Sequence, residues 1–344
     1  MKKGIVAIAA AMLITGCATS GDPSGAEASK KARTDSKNVE SLTSNKEVYL
    51  SDFRVTFITE DSSSAKSTNP LLFRGGDGND YATAILRAKL TGIDEATLQS
   101  ITDKAYGDFL ANMQERGYTV LDQSGLEAIK AWNKIDTLSS PNPPFDPASK
   151  DIGEKAMFSA NNARQITFAP AGMPLLKLSS NNQVPYNYGV AADKAGKPIV
   201  RAHYVVHFAY FGSDTDYDID YNAVDMAGRD VKRTTLSASV SLGQGIQVTP
   251  GSAIEFSVDQ GGTFSKGGYI SLKDPVVIGG NYGTNLDTTS STTKAVNAFS
   301  SLLGQFSGGS SSTKEVSIEA NPAYYAYGVE SALSEANKRL FNNL

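Results

Sequence analysis

The sequence predicts an α+β fold, with an N-terminal strand-helix-strand-helix unit packed with a β-rich C-terminal half and a C-terminal helix. Three observations carry this prediction. Between residues 47 and 138 the apolar positions switch between alternation and helical spacing. From Val200 to Gly280 β-branched and aromatic residues recur among Ser, Thr and Gly. After Pro322 the chain returns to helical spacing and keeps it.

The elements follow in order. In Val48 to Ile58, Phe53, Val55 and Phe57 alternate with Asp52, Arg54 and Thr56, the pattern of a half-buried strand. A polar loop is expected from Thr59 to Asp80, then two helices, Tyr81 to Leu90 and Asp94 to Arg116. Gly92 breaks them apart, Asp94 caps the second and Gly117 ends it. A short strand, Tyr118 to Leu121, leads to a helix from Ser124 to Ile135 carrying Leu126, Ile129 and Trp132. The Pro-rich run Ser139 to Pro147 sustains neither ladder nor helix and closes this unit.

Beyond it, Ile166 to Phe168, Leu175 to Leu178 and Val200 to Phe211 read as strands, followed by Tyr217 to Asp225, Val231 to Leu242, Ile246 to Val248, Ile254 to Val258 and Tyr269 to Ile278. Low-complexity Thr284 to Thr293 and Ser307 to Thr313 flank a short helix with Val296, Phe299, Leu302 and Leu303. After a strand at Val316 to Ile318, Pro322 opens the last helix, with Glu335 placed to pair with Arg339.

The N-terminus carries the strongest functional signal. Lys2 and Lys3 precede about ten apolar residues, Ile5 to Ile14, too short to span a bilayer, and Thr15-Gly16 lead into Cys17, the only cysteine of the 344 residues. This is the pattern of a bacterial lipoprotein signal, residues 1–16, cut before Cys17. Acyl chains on that residue would give a stable anchor, because two chains hold where one does not. The alternative is an ordinary secretory signal that happens to end at a cysteine. Residues 17–46 hold hardly a large apolar side chain and read as a lipidated flexible tether. The expected divisions are then 47–138 for the α/β unit, 139–160 for the connection and 161–344 for the β-rich part.

Loss of Lys2 and Lys3 takes the net charge from −4 to −6, which offers no nucleic-acid surface. With the sole thiol acylated, disulfides and thiolate chemistry are excluded. His203 and His207 have the spacing of a zinc helix, but Tyr204 replaces its glutamate. On a strand they stand about 13 Å apart, so they read as structural. Asp214, Asp216, Asp218 and Asp220 alternate with Thr215, Tyr217 and Ile219, and Asp225 falls where a calcium loop ends. Ile219 occupies the position that needs glycine, which favours a solvated acidic strand over a cation site. Gly75 to Asp80 is a single copy of a motif that works by stacking, Gly262 to Gly268 lacks the order of a phosphate loop, and Ser63 with Lys66 lies in a serine-rich stretch. No catalytic activity and no cofactor is predicted. In Thr235 to Leu242, Leu236, Ala238, Val240 and Leu242 share one face. A pore-lining strand shows this pattern, and so does the strand of a soluble sheet, the preferred reading.

Two resemblances add to this. The run ending at Cys17 looks like the lipobox, and Ala18 stands where an aspartate would resemble an inner-membrane retention signal, which implies the outer membrane. The order of elements, with Arg116-Gly-Tyr-Thr-Val-Leu-Asp122 before the second strand and Met226-Ala-Gly-Arg-Asp-Val231 after Tyr217 to Asp225, resembles the lipoprotein family of the curli secretion channel. That resemblance implies a homo-oligomeric subunit acting with other envelope proteins in export or assembly of surface material. Its pore constriction would be similar in position to Thr59 to Asp80, and its membrane hairpins are sought in Thr234 to Val258 and Gly268 to Asn281. The rival is a monomeric scaffold or binding lipoprotein.

Overall fold

Strands of unusual length organise the molecule, a computed structural model that describes residues 32–68, 81–142, 163–177, 183–224, 230–261, 264–294, 297 and 309–344. Its strands are β1 (Thr34–Lys37), β2 (Glu47–Thr68), β3 (Tyr81–Thr91), β4 (Thr119–Leu121), β5 (Thr137–Leu138), β6 (Arg164–Phe168), β7 (Leu175–Leu176), β8 (Ile199–Val224), β9 (Asp230–Val248), β10 (Ala253–Gly261), β11 (Phe264–Leu272), β12 (Val276–Ile278), β13 (Gly283–Asp287) and β14 (Gly309–Ala320). The α-helices are α1 (Glu40–Thr43), α2 (Glu95–Glu115), α3 (Gln183–Ala195) and α4 (Pro322–Phe341). The α+β class stands.

Twelve strands form one sheet whose main path runs β1-β11-β10-β8-β2-β3-β14-β13, while β5 and β7 pair separately. The pairs β2–β8, β2–β4 and β3–β14 are parallel. Strand β2 therefore carries β8 and then β3 in succession along one edge, with β4 and β6 along the other. On one face of its base, Phe53 meets Phe109 of α2 with ring centroids 5.5 Å apart, and Phe109 meets Phe341 of α4 at 5.1 Å. All three are fully buried, and each such ring contributes roughly 1.5–3 kcal/mol. The Tyr204 hydroxyl donates to Asn337 Oδ1 of α4, giving this buried phenol a partner. A second, smaller core of Leu126, Ile135, Leu176, Tyr188, Ala191, Ala192 and Ile199 lies beneath α3.

The predicted caps form. Asp94 Oδ1 accepts the Thr97 N–H at 2.8 Å, Gly117 takes φ +76°, and Arg339 Nε donates to Glu335 at 2.8 Å. Replacing Asp94 with Ala removes this cap and should lower the melting temperature.

Several expectations are corrected. Tyr81 to Leu90 is strand β3, not a helix: Ala82, Ala84, Leu86, Ala88 and Leu90 are buried on one face, and pairing on both sides overrides the helix preference of alanine. Thr59 to Thr68 continues β2 opposite β3, so the first half of the expected loop is ladder. Ser124 to Ile135 forms two short 3₁₀ turns, Gln123–Leu126 and Trp132–Lys134, which still deliver Leu126 and Trp132 to the smaller core. Helix α3 was not anticipated, and residues 309–313 are strand rather than low-complexity linker. Part of the predicted tether is folded too. Strand β1 pairs with β11, and Arg33 grips Asp274 through two side-chain bonds, at 2.7 and 3.0 Å. The helix expected around Val296 to Leu303 falls largely outside the described residues.

Above the base the sheet forks. The β2–β8 ladder ends at Phe57 and Val206; from there β2 pairs with β3, and β8 with β9. The two resulting arms lie face to face. Ala65, Ala84 and Leu86 of one are buried, as are Leu236, Ala238, Val240 and Leu242 of the other, all within one core. Ser67 Oγ donates to the Asp216 carbonyl at 3.0 Å, joining the arms farther out. The apolar face of Thr235 to Leu242 is thus covered by protein. Neither proposed membrane hairpin is one: β9 and β10 each pair with β8 and not with each other, and β11 pairs with β10 and β1 while β12 pairs with β9.

Candidate functional site

A row of charged side chains crosses the sheet beneath α3. Parallel pairing sets Asp52 opposite Arg201 and Arg54 opposite His203; antiparallel pairing sets Arg201 opposite Glu255 and Glu255 opposite Tyr269. Alternation along each strand sends these groups to one face. Arg54 donates to Asp52 Oδ2 through Nε at 2.7 Å and to the Leu176 carbonyl through Nη2 at 2.6 Å. Arg201 pairs with Glu255 at 2.9 Å and lies 4.4 Å from the Tyr188 ring centroid. Tyr269 donates to Asp35 at 3.1 Å, extending the row to β1. Exposure rises along it, from 2% for the Asp52 side chain to 32% for Glu255.

Burial decides the electrostatics at the inner end. It holds the Asp52 carboxyl above the ordinary carboxylate range despite Arg54, and it pushes the Tyr188 phenol well upward. Asp52 Oδ1, Arg201 Nε and the Tyr188 hydroxyl are buried without a hydrogen-bond partner among the described residues. His203 Nε2 donates to the Gly251 carbonyl at 2.5 Å, and burial lowers its pKa. A histidine lowered in the folded state resists protonation there while the unfolded chain accepts it near pH 6.5. Its contribution to stability is therefore fully present above pH 6.5 and is lost progressively as pH falls below 6.5 toward the lower folded-state value. Urea denaturation at pH 7 and 5 should show the wild type losing more stability than His203→Gln.

His207 stands elsewhere, at the fork. Its Nε2 donates to Asp61 Oδ2 at 2.8 Å and its Nδ1 accepts the Ala209 N–H at 3.1 Å. Bulges at Ile58/Glu60 and His207/Ala209 adjoin this pair and turn the two strands apart. Both ring nitrogens are engaged, so the imidazole has no lone pair left for a nucleophile. It serves as a clasp where the arms diverge. Both histidines lie on a strand, as the sequence predicts, and Asp61 was not foreseen as a partner.

In the acidic strand, Asp214 and Asp216 are exposed. The backbone from Asp214 to Asp220 is extended against β9, with Ile219 opposite Thr234, so it lacks the turn that a calcium loop needs at that position. Asp225 lies outside the described residues, as do Cys17 and Gly75 to Asp80. Among the described residues no three His, Cys, Asp or Glu side chains gather as metal ligands. Ser63 and Lys66 fall on opposite faces of β2, an odd separation along a strand. Gly262 falls outside the described residues, while Phe264 to Gly268 belong to β11 of the β10–β11 hairpin. No described helix is long and apolar enough to cross a membrane, which says nothing of strands.

The chain matches no protein-family model, no curated protein and no solved structure.

Proposed function

We propose that this chain is an outer-membrane lipoprotein, anchored through acyl groups on Cys17, that acts without covalent chemistry as a scaffold in the export or assembly of surface material. The observation that carries the reading is the N-terminal run itself: two lysines, a short apolar stretch, and the only thiol of the chain directly after Gly16. The fold is compatible with it. Described structure begins at Ala32, where Arg339 donates to the Ala32 carbonyl at 2.9 Å. The fifteen residue-to-residue steps from Cys17 to Ala32 reach at most about 50 Å. A lipid at Cys17 would keep the β1–β11 edge within that distance of the bilayer. Growth with an alkyne-bearing palmitate should label the wild-type chain and leave Cys17→Ser unlabelled, with the labelled protein sedimenting with outer membranes. An unlabelled wild type would refute the anchor.

A second reading, an oligomeric channel subunit like those of the curli secretion family, draws on one feature. The β2–β3 ladder runs from Glu60 to Thr68 and the β8–β9 ladder is longer, enough for strands of about nine to eleven residues to cross a bilayer. Insertion would require the two arms to part, because their apolar faces are buried against each other.

A further inference from the structure

We infer that Tyr210 is the platform of a glycan-binding subsite, a fixed aromatic ring on the outer face of the β8–β9 arm that takes one uncharged sugar ring of an oligosaccharide. Tyr210 is 50% exposed, the most exposed large apolar side chain among the described residues. It stands opposite Gly243 of β9. A Cβ on Gly243 would fall 1.9 Å from Tyr210 Cζ, and one on Gly245 would fall 3.2 Å from Tyr210 Cε1. The ring therefore leans across β9 and fills the room that two missing side chains leave, one side against the sheet and the other toward solvent. Shielding the two glycines accounts for the inner side of the ring. The outer side is what a ligand can use.

The surroundings define that ligand. On the same face of the arm, Gly212 is the next residue of β8, Ser241 stands opposite it, and Asp214 follows, exposed like Ser241. Gly212 and Asp214 lie about 7 and 13 Å from Tyr210 along the strand. None of them adds a large apolar side chain. A protein partner needs an apolar centre of several packed side chains, which one ring among glycine, serine and aspartate does not supply. The ligand that fits has apolar surface the size of one ring and polar groups around its rim. A pyranose meets both conditions: its C–H face covers the phenol, while its hydroxyls and those of the adjoining unit meet the Ser241 hydroxyl and the Asp214 carboxylate. A nucleotide or a uronic acid also carries a ring of this size, but Asp214 and a net charge of −4 oppose its negative charge.

An uncharged polysaccharide would then be the surface material of the proposed function, and this last step alone rests on that reading. Binding is measured on the purified chain and acylation by labelling, so failure of one leaves the other standing.

The test titrates the full chain, in a detergent without a sugar headgroup, with four uncharged hexasaccharides: α-linked glucose, β-linked glucose, N-acetylglucosamine and mannose. Saturation passed from the protein to ligand protons is read by NMR. At least one hexasaccharide should bind with a dissociation constant below about 1 mM, with saturation concentrated on ring C–H protons. Tyr210→Ala should weaken that binding about tenfold, whereas Tyr210→Phe should keep it within about threefold, because the ring face and not the hydroxyl makes the contact. Tyr186→Ala, which removes another exposed tyrosine, should change nothing. If Tyr210→Ala fails to fold, Ser241→Arg, at an exposed position beside the ring, crowds the outer side and should weaken binding likewise. The proposal is overturned if none of the four binds, if binding survives in folded Tyr210→Ala, or if only a hexagalacturonate or a proline-rich peptide binds.

Discussion

Arg54→Ala should destabilise the chain by about 3–5 kcal/mol, a large share of the roughly 5–15 kcal/mol that holds an ordinary domain folded. The reason is the state in which it leaves Asp52. That carboxylate is 1% exposed, its Oδ2 is bonded by Arg54, and its Oδ1 already lacks a partner among the described residues. Without the guanidinium a buried charge stays unpaired and the Leu176 carbonyl loses its donor. Removing both partners as Asp52→Leu with Arg54→Met should be far milder, because a buried pair replaced by apolar groups is often close to neutral. Urea denaturation of the two variants checks this. Equal losses would mean that the pair is not acting as a unit.

The second large effect concerns the arms. Val240→Asp places a charge on the face where Val240 is 2% exposed, and it should cost several kcal/mol. Ser241→Asp, one residue on, turns to the exposed face and should stay within about 0.5 kcal/mol of wild type. If both substitutions were tolerated equally in aqueous solution, the arms would not be closed on each other, and the amphipathic strand would be free to face another medium.

How much of this was legible in the sequence follows from how local each signal is. The alternation of Phe53, Val55 and Phe57, the capped helix after Asp94 and the helix after Pro322 depend on near neighbours, and all three formed. Residues 81–91 misled because Ala-rich alternation satisfies both periods, and only the β2 and β14 ladders, set by distant residues, choose between them. For the same reason Thr59 to Thr68 read as loop: its serines and threonines gain strand character from pairing with β3.

The charged row beneath α3 was visible only as polar positions in strands. Asp52 and Arg54 look solvated in isolation, and their burial follows from α3, which the sequence did not announce, and from β8, whose Arg201 and His203 lie some 150 residues away. His207 and Asp61 likewise stand 146 residues apart in the chain and meet only where β2 and β8 diverge at the fork. Cys17 is the opposite case. Its signal is wholly local, carried by the residues that precede it, and needs no fold.

In the proposed function lipid alone attaches this domain to a membrane, because the apolar faces of its amphipathic strands are buried against each other. The most direct measurement is the protein mass and bound detergent of the full chain carrying Cys17→Ser, by light scattering in buffer and in detergent. The expected result is one chain of about 36 kDa in both, with no detergent belt. A ring of chains wrapped in detergent would contradict it.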